Sequence, residues 1–73
     1  MSSLPRLTAK EIIAVLEKLG FVLARQSGSH KIYKNGGKRV TIPGHGSKIL
    51  HPKVLKSIMR DADIDAAQLQ GLL

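Results

Sequence analysis

The chain holds three histidines, His30, His45 and His51, and no cysteine. Histidine is the side chain whose ordinary pKa puts its charge change near neutrality, so these three are the candidates for proton transfer. The lack of cysteine excludes disulfides, thiolate metal sites and thiol nucleophiles. His30 follows Gly28-Ser29 where a strand is predicted to begin, among Arg25, Lys31 and Lys34. A histidine at a strand edge is held by the sheet and still reaches solvent. His45 lies in a glycine-rich loop, and His51, next to Pro52, reads as a residue that opens a helix. No close pair such as H-x-x-x-H is present, and no acid lies near enough in sequence to complete a ligand set, so a metal site is not expected. A serine–histidine–acid triad lacks its acid in the same way, because Asp61 to Asp65 lie beyond the second predicted helix.

What remains is a histidine acting on a phosphodiester among cations. RNA carries its own nucleophile, the 2′-OH. A ribonuclease without metal needs a base for that proton, an acid for the leaving 5′-oxygen and cations for the charge on phosphorus. His30 with Arg25, Lys31, Lys34 and Lys48 meets the first and last of these needs. DNA, without the 2′-OH, is not a substrate for this route.

Charge placement supports a polyanionic ligand. The 73 residues carry 12 Lys+Arg against 5 Asp+Glu, a formal charge of +7. Between Lys18 and Arg60 there is no Asp or Glu at all; Glu11 and Glu17 precede the stretch and Asp61, Asp63 and Asp65 follow it. That surface attracts nucleic acid first, an acidic protein second and an anionic membrane third. With 42% apolar residues the chain can pack a core, and its length suits one domain over residues 1–73. The longest apolar run, Ile12 to Leu16, falls well short of the ~20 residues of a membrane span. Met1-Ser2-Ser3-Leu4-Pro5 leads straight into an amphipathic helix with no signal-peptide pattern, so a cytoplasmic protein is expected.

The elements that must position these residues are legible from caps and turns. Thr8-Ala9-Lys10-Glu11 fits a capping box. Ala9, Ile12, Ile13, Val15, Leu16 and Leu19 then share one helical face, and Gly20-Phe21 fits a left-handed stop. Three strands are predicted: Phe21 to Arg25, His30 to Lys34 and Arg39 to Ile42. Gln26-Ser27-Gly28-Ser29 and Asn35-Gly36-Gly37-Lys38 form the turns, and Pro43 ends the third strand. A second helix is expected from about Pro52 to Asp61, with Val54, Leu55, Ile58 and Ala62 inward and the basic stripe Lys53, Lys56 and Arg60 outward. Asp65 can cap a short last helix over Ala66 to Leu72. The economical assembly is an α+β fold in which a three-stranded antiparallel sheet carries its helices on one face. Ile32, Val40 and Ile42 are then expected to face the helices, with Lys31, Tyr33, Arg39 and Thr41 outward. Tyr33 and Phe21 are the only aromatics, which disfavours base stacking and favours recognition of phosphate and shape.

In this order and spacing the residues resemble a family. Leu19-Gly20-Phe21, then Arg25-Gln26-x-Gly28-Ser29-His30-x-x-Tyr33, is similar to the HicA family of mRNA interferase toxins. So is Val40-Thr41-Ile42-Pro43-x-His45-x-x-Lys48 with x-Leu50-x-Pro52-x-x-Leu55-x-x-Ile58. The resemblance covers about residues 8 to 64. It implies a double-stranded-RNA-binding-domain-like α-β-β-β-α fold, to which the short C-terminal helix is an addition. It implies cleavage of mRNA by the Gly-Ser-His histidine, here His30, and inhibition by a HicB-like antitoxin. Ile49 stands where the family often has an acid and Lys53 where it often has glycine, so the start of the second helix is more basic here.

The expectation is therefore the toxin of a type II toxin–antitoxin system, a metal-independent endoribonuclease. His30 is its general acid/base, and Arg25, Ser29, Lys31, Lys34, Lys48 and Lys53 contact RNA. Its partners are mRNA and an antitoxin, with no membrane, metal or small-molecule cofactor. The alternatives are a non-catalytic RNA-binding module of the same fold, which leaves no 2′,3′-cyclic phosphate ends, and a basic protein whose ligand is an acidic protein.

Overall fold

The computed structural model describes residues 4–44 and 46–73. The elements run α1 (Ala9–Lys18), β1 (Val22–Ser27), β2 (His30–Asn35), β3 (Lys38–Ile42), α2 (Pro52–Ala62) and α3 (Ala66–Leu72). The sheet is antiparallel in the order β1-β2-β3. This is the α+β arrangement expected for a double-stranded-RNA-binding-domain-like fold, with α3 appended.

Each helix begins where a side chain satisfies its first amides. Thr8 accepts from the Glu11 amide at 3.1 Å while the Glu11 carboxylate accepts from the Thr8 amide at 2.9 Å. Asp65 and Gln68 repeat the exchange at the start of α3, at 2.8 and 2.9 Å. Such reciprocal caps are worth about 1 kcal/mol each. At the end of α1, the Phe21 amide donates to the Leu16 carbonyl and the Gly20 amide to that of Glu17. Gly20 takes φ 94 there, and a Cβ would lie 3.4 Å from the Asn35 amide nitrogen. The Asn35 side chain in turn donates to the Leu19 carbonyl at 3.0 Å, fastening the end of β2 to the end of α1. α2 closes the same way through Asp63, at φ 60.

The helices bury their apolar faces on one side of the sheet. Ile12, Val15 and Leu16 of α1, Leu55, Ile58 and Met59 of α2 and Leu69 of α3 meet Tyr33, Val40 and Ile42 in one cluster. Met59 joins the expected inward residues of α2 because it lies one turn beyond Leu55. The segment before α1 is tied down as well. The Leu50 amide donates to the Leu7 carbonyl at 2.8 Å, Thr8 pairs with Ile49, and the Lys10 amide donates to the Gly46 carbonyl at 3.2 Å.

Two expectations are corrected. β1 extends to Ser27, since Gln26 and Ser27 pair with Lys31 and His30. The reversal is made by Gly28-Ser29 alone, with Gly28 at φ 58. The facing of β2 is also reversed. Tyr33 is only 4% exposed and lies among the core residues, whereas Ile32 is half-buried. The cause is cross-strand pairing. Gly36-Gly37 closes the hairpin with Asn35 opposite Lys38, so Tyr33 falls opposite Val40 and Ile32 opposite Thr41. Directly opposed residues share a face, and Val40 is fully buried.

Candidate nucleic-acid site

That register also decides what stands beside His30. On β2, His30, Ile32 and Lys34 share the face turned away from the helices. Their partners bring in Ser27, Arg25 and Val22 from β1 and Thr41 and Arg39 from β3. β1 keeps this parity because of a bulge between Leu23 and Arg25, where Ala24 is the extra residue. Without it Arg25 would turn to the other side. The open face of the sheet therefore carries His30, Arg25, Lys34 and Arg39, all exposed. Successive rows on one face lie about 7 Å apart.

His30 is presented by a short, braced turn. Gly28 supplies the positive φ, Ser29 is half-buried beside it, and the Gln26 side chain donates to the Gly28 carbonyl at 3.3 Å. The strand thus fixes the backbone of His30 while its ring remains exposed to an incoming ligand.

Of the other residues singled out by the sequence, Lys31 is half-buried on the helix-facing side, opposite Gln26 and Ile42. Lys48 lies exposed on the loop after β3, which leaves the sheet at its His30 end, because Ile42 is opposite Lys31. Gly46 and Leu50 hold that loop against the start of α1. Lys53 is exposed in the first turn of α2, where its amide donates to His51 Nδ1 at 3.1 Å. His51 is accordingly the N-cap of α2. His45 lies outside the described residues. Arg39 was recognisable in the sequence only as an outward basic residue; its place on the same face as His30 follows from pairing opposite Lys34.

The electrostatics match the geometry. Among the described residues the ion pairs are Lys38 with Asp63 and Arg60 with Asp61, each at 3.9 Å and exposed. Neither engages Arg25, Lys34, Arg39, Lys48 or Lys53, so these charges remain available to an anion. No group of three or more His, Asp or Glu residues among the described residues is arranged to hold a metal ion. No helix among them is long and apolar enough to cross a membrane. A cleft of about 380 Å³ lies elsewhere, between Leu4–Arg6 and Ile49–Pro52. Tyr33, the remaining aromatic candidate, is turned into the core. Burial raises its pKa, and the negative charge of Glu17 raises it further.

Comparison with known families agrees with the fold and the motif. The family model for the HicA toxin of bacterial toxin–antitoxin systems matches residues 9–64. The chain belongs to the HicA toxin family. The matched span runs from the first residue of α1 to the Schellman-type stop after α2, so it takes in the whole sheet and leaves α3 outside. No curated protein matches the chain. Membership in a toxin–antitoxin family implies an antitoxin partner for this HicA chain.

Proposed function

We propose that this HicA chain is a metal-independent mRNA endoribonuclease that acts on the open face of its sheet and is held inactive by a HicB-like antitoxin. The observation that carries the reading is the register that sets Arg25, Lys34 and Arg39 on the same face as His30, with no acid among them. A strand of RNA laid on this face meets cations in successive rows, and His30 stands at the end of the track nearest the Gly28-Ser29 turn.

In the proposed reaction His30 takes the proton of a ribose 2′-OH. The 2′-oxygen forms a bond to the adjacent phosphorus, the bond from phosphorus to the 5′-oxygen breaks, and that oxygen is protonated by water at this exposed site. The products are a 2′,3′-cyclic phosphate and a 5′-OH. Arg25 and Lys34 offset the charge that builds on the non-bridging oxygens, the part of such catalysis that is often largest. Ser29 and Arg39 orient the chain, and Lys48 and Lys53 extend the basic surface beyond the sheet. Lys31, on the other side of the sheet, contributes through the general field and at its rim.

The test compares wild type with His30→Ala on RNA and on DNA of the same sequence, with EDTA present throughout. Wild type is expected to leave 2′,3′-cyclic ends on RNA only, and the variant to lose about 10²–10⁴-fold in rate. Equal rates would remove His30 from the chemistry, and loss of wild-type cleavage in EDTA would overturn the metal-free route. The exposed ring, which has no side-chain partner among the described residues, also suits a non-catalytic RNA-binding module; that reading prevails if RNA binds and no cyclic ends form.

A further inference from the structure

β1 forms one rim of the sheet and pairs only with β2. All six of its residues are exposed, including Val22 at 64% and Leu23 at 48%. The opposite rim is different: β3 buries Val40 and Ile42 beneath the helices. β1 thus combines unpaired backbone amides and carbonyls with exposed apolar side chains, the features by which a rim recruits another strand. We infer that β1 is a docking edge for an acidic, extended segment of the antitoxin, which adds to the sheet as a fourth strand.

Charge selects this occupant. Arg25 sits in the middle of β1, next to the bulge at Ala24. In an antiparallel pair between two copies of this chain, two Arg25 side chains would be brought together between bodies of charge +7. Like charges facing across strands are destabilising, and bulges and basic residues commonly protect edges from such pairing. A partner strand with Asp or Glu opposite Arg25 reverses the sign. No acid of this chain lies between Lys18 and Arg60 to compete with it. RNA lacks the peptide groups that would complete the backbone ladder.

The added strand extends the open face past Arg25 and Ser27, placing its carboxylates beside Arg25, one strand removed from His30. It would then compete with phosphate for Arg25, the cation of the track that lies on β1. This consequence rests on the ribonuclease reading; the docking edge itself rests on the sheet and its charge.

The experiment uses a blocked peptide as long as β1 that alternates glutamate with valine, and its lysine counterpart, added to the isotopically labelled full chain. Amide exchange and chemical shifts are followed without RNA. The glutamate peptide is expected to slow exchange at alternate β1 amides by about tenfold or more and leave the β3 rim unchanged. Arg25→Glu should exchange this preference for the lysine peptide. Shifts at Lys34 and Arg39 without β1 protection would mean simple polyanion binding and overturn the inference. So would equal protection by the lysine peptide, or protection that grows with protein concentration alone, which would assign the edge to a second copy. A failed exchange result leaves the ribonuclease reading intact, and a failed cleavage assay leaves the docking edge intact.

Discussion

The two faces of the sheet are built from the same three strands and behave as different materials. Toward the helices stand Tyr33, Val40 and Ile42, at 4%, 0% and 1% exposure. Toward solvent stand Arg25, His30, Lys34, Arg39 and Thr41; Lys34 directly follows Tyr33, and Arg39 and Thr41 flank Val40. Period-two alternation therefore lets neighbouring positions serve separate ends: the inner set supplies cohesion, and the outer set can change in charge with little effect on folding. The arrangement also explains how so short a chain keeps a cationic surface open beside a packed core. It spends one face on its core and leaves the other open.

Adjacent substitutions on β3 give the largest contrast. Ile42→Ala removes a fully buried side chain and should cost about 2–5 kcal/mol. In a domain of this size that lowers the melting temperature by roughly 10 °C or more. Thr41→Ala, one residue away and exposed, should stay within about 0.5 kcal/mol. Thermal unfolding of both variants decides the matter. Similar losses would mean that the outer face is covered in solution and that the difference between the faces is false.

Features encoded in a few adjacent residues were legible without the structure. Thr8 with Glu11, Gly20 with Phe21, the Gly36-Gly37 turn, Pro52 and Asp65 each act through bonds within one turn of chain, and each appears where expected. The facing of β2 was not legible in that way. Ile32 and Tyr33 are both suited to burial, and nothing local chooses between them. The choice is made across the sheet, where Val40 can face only Tyr33 once Asn35 and Lys38 close the hairpin. The bulge at Ala24 and the bridge from Thr8 to Ile49 likewise depend on partners distant in sequence. For the candidate site, spacing alone grouped His30 with Arg25 and Lys34. Adding Arg39, and placing Lys31 on the other face, required the register.

RNA binding sharpens the comparison with a smaller effect. Arg39→Ala removes a cation from the open face, and Lys31→Ala removes one from the helix-facing side. If phosphate lies along the open face, Arg39→Ala should reduce the slope of log affinity against log salt by about 0.7, the value for one phosphate of a single strand. Lys31→Ala should change that slope less. The comparison is best made by salt titration with His30→Ala as the common background, so that RNA remains intact. A larger change from Lys31→Ala would place the RNA over the rim or the helix side.

The smallest effect is spectroscopic and concerns a single hydroxyl. Tyr33 is the only tyrosine and there is no tryptophan, so phenolate absorbance near 295 nm follows Tyr33 without interference from the lysines that titrate alongside it. Burial disfavours the phenolate and Glu17 disfavours it further, which raises the pKa above the ordinary 10.0. The folded chain then binds this proton more tightly than the unfolded chain. Its contribution to stability is fully present below about pH 10 and is lost as pH rises through the higher folded value. The native titration midpoint should therefore lie above the midpoint in denaturant. Tyr33→Phe, which keeps the ring in the core, should remove this part of the alkaline loss of stability. Coincident midpoints would show that the hydroxyl meets water in the native state, and would contradict the helix-facing placement of Tyr33 opposite Val40.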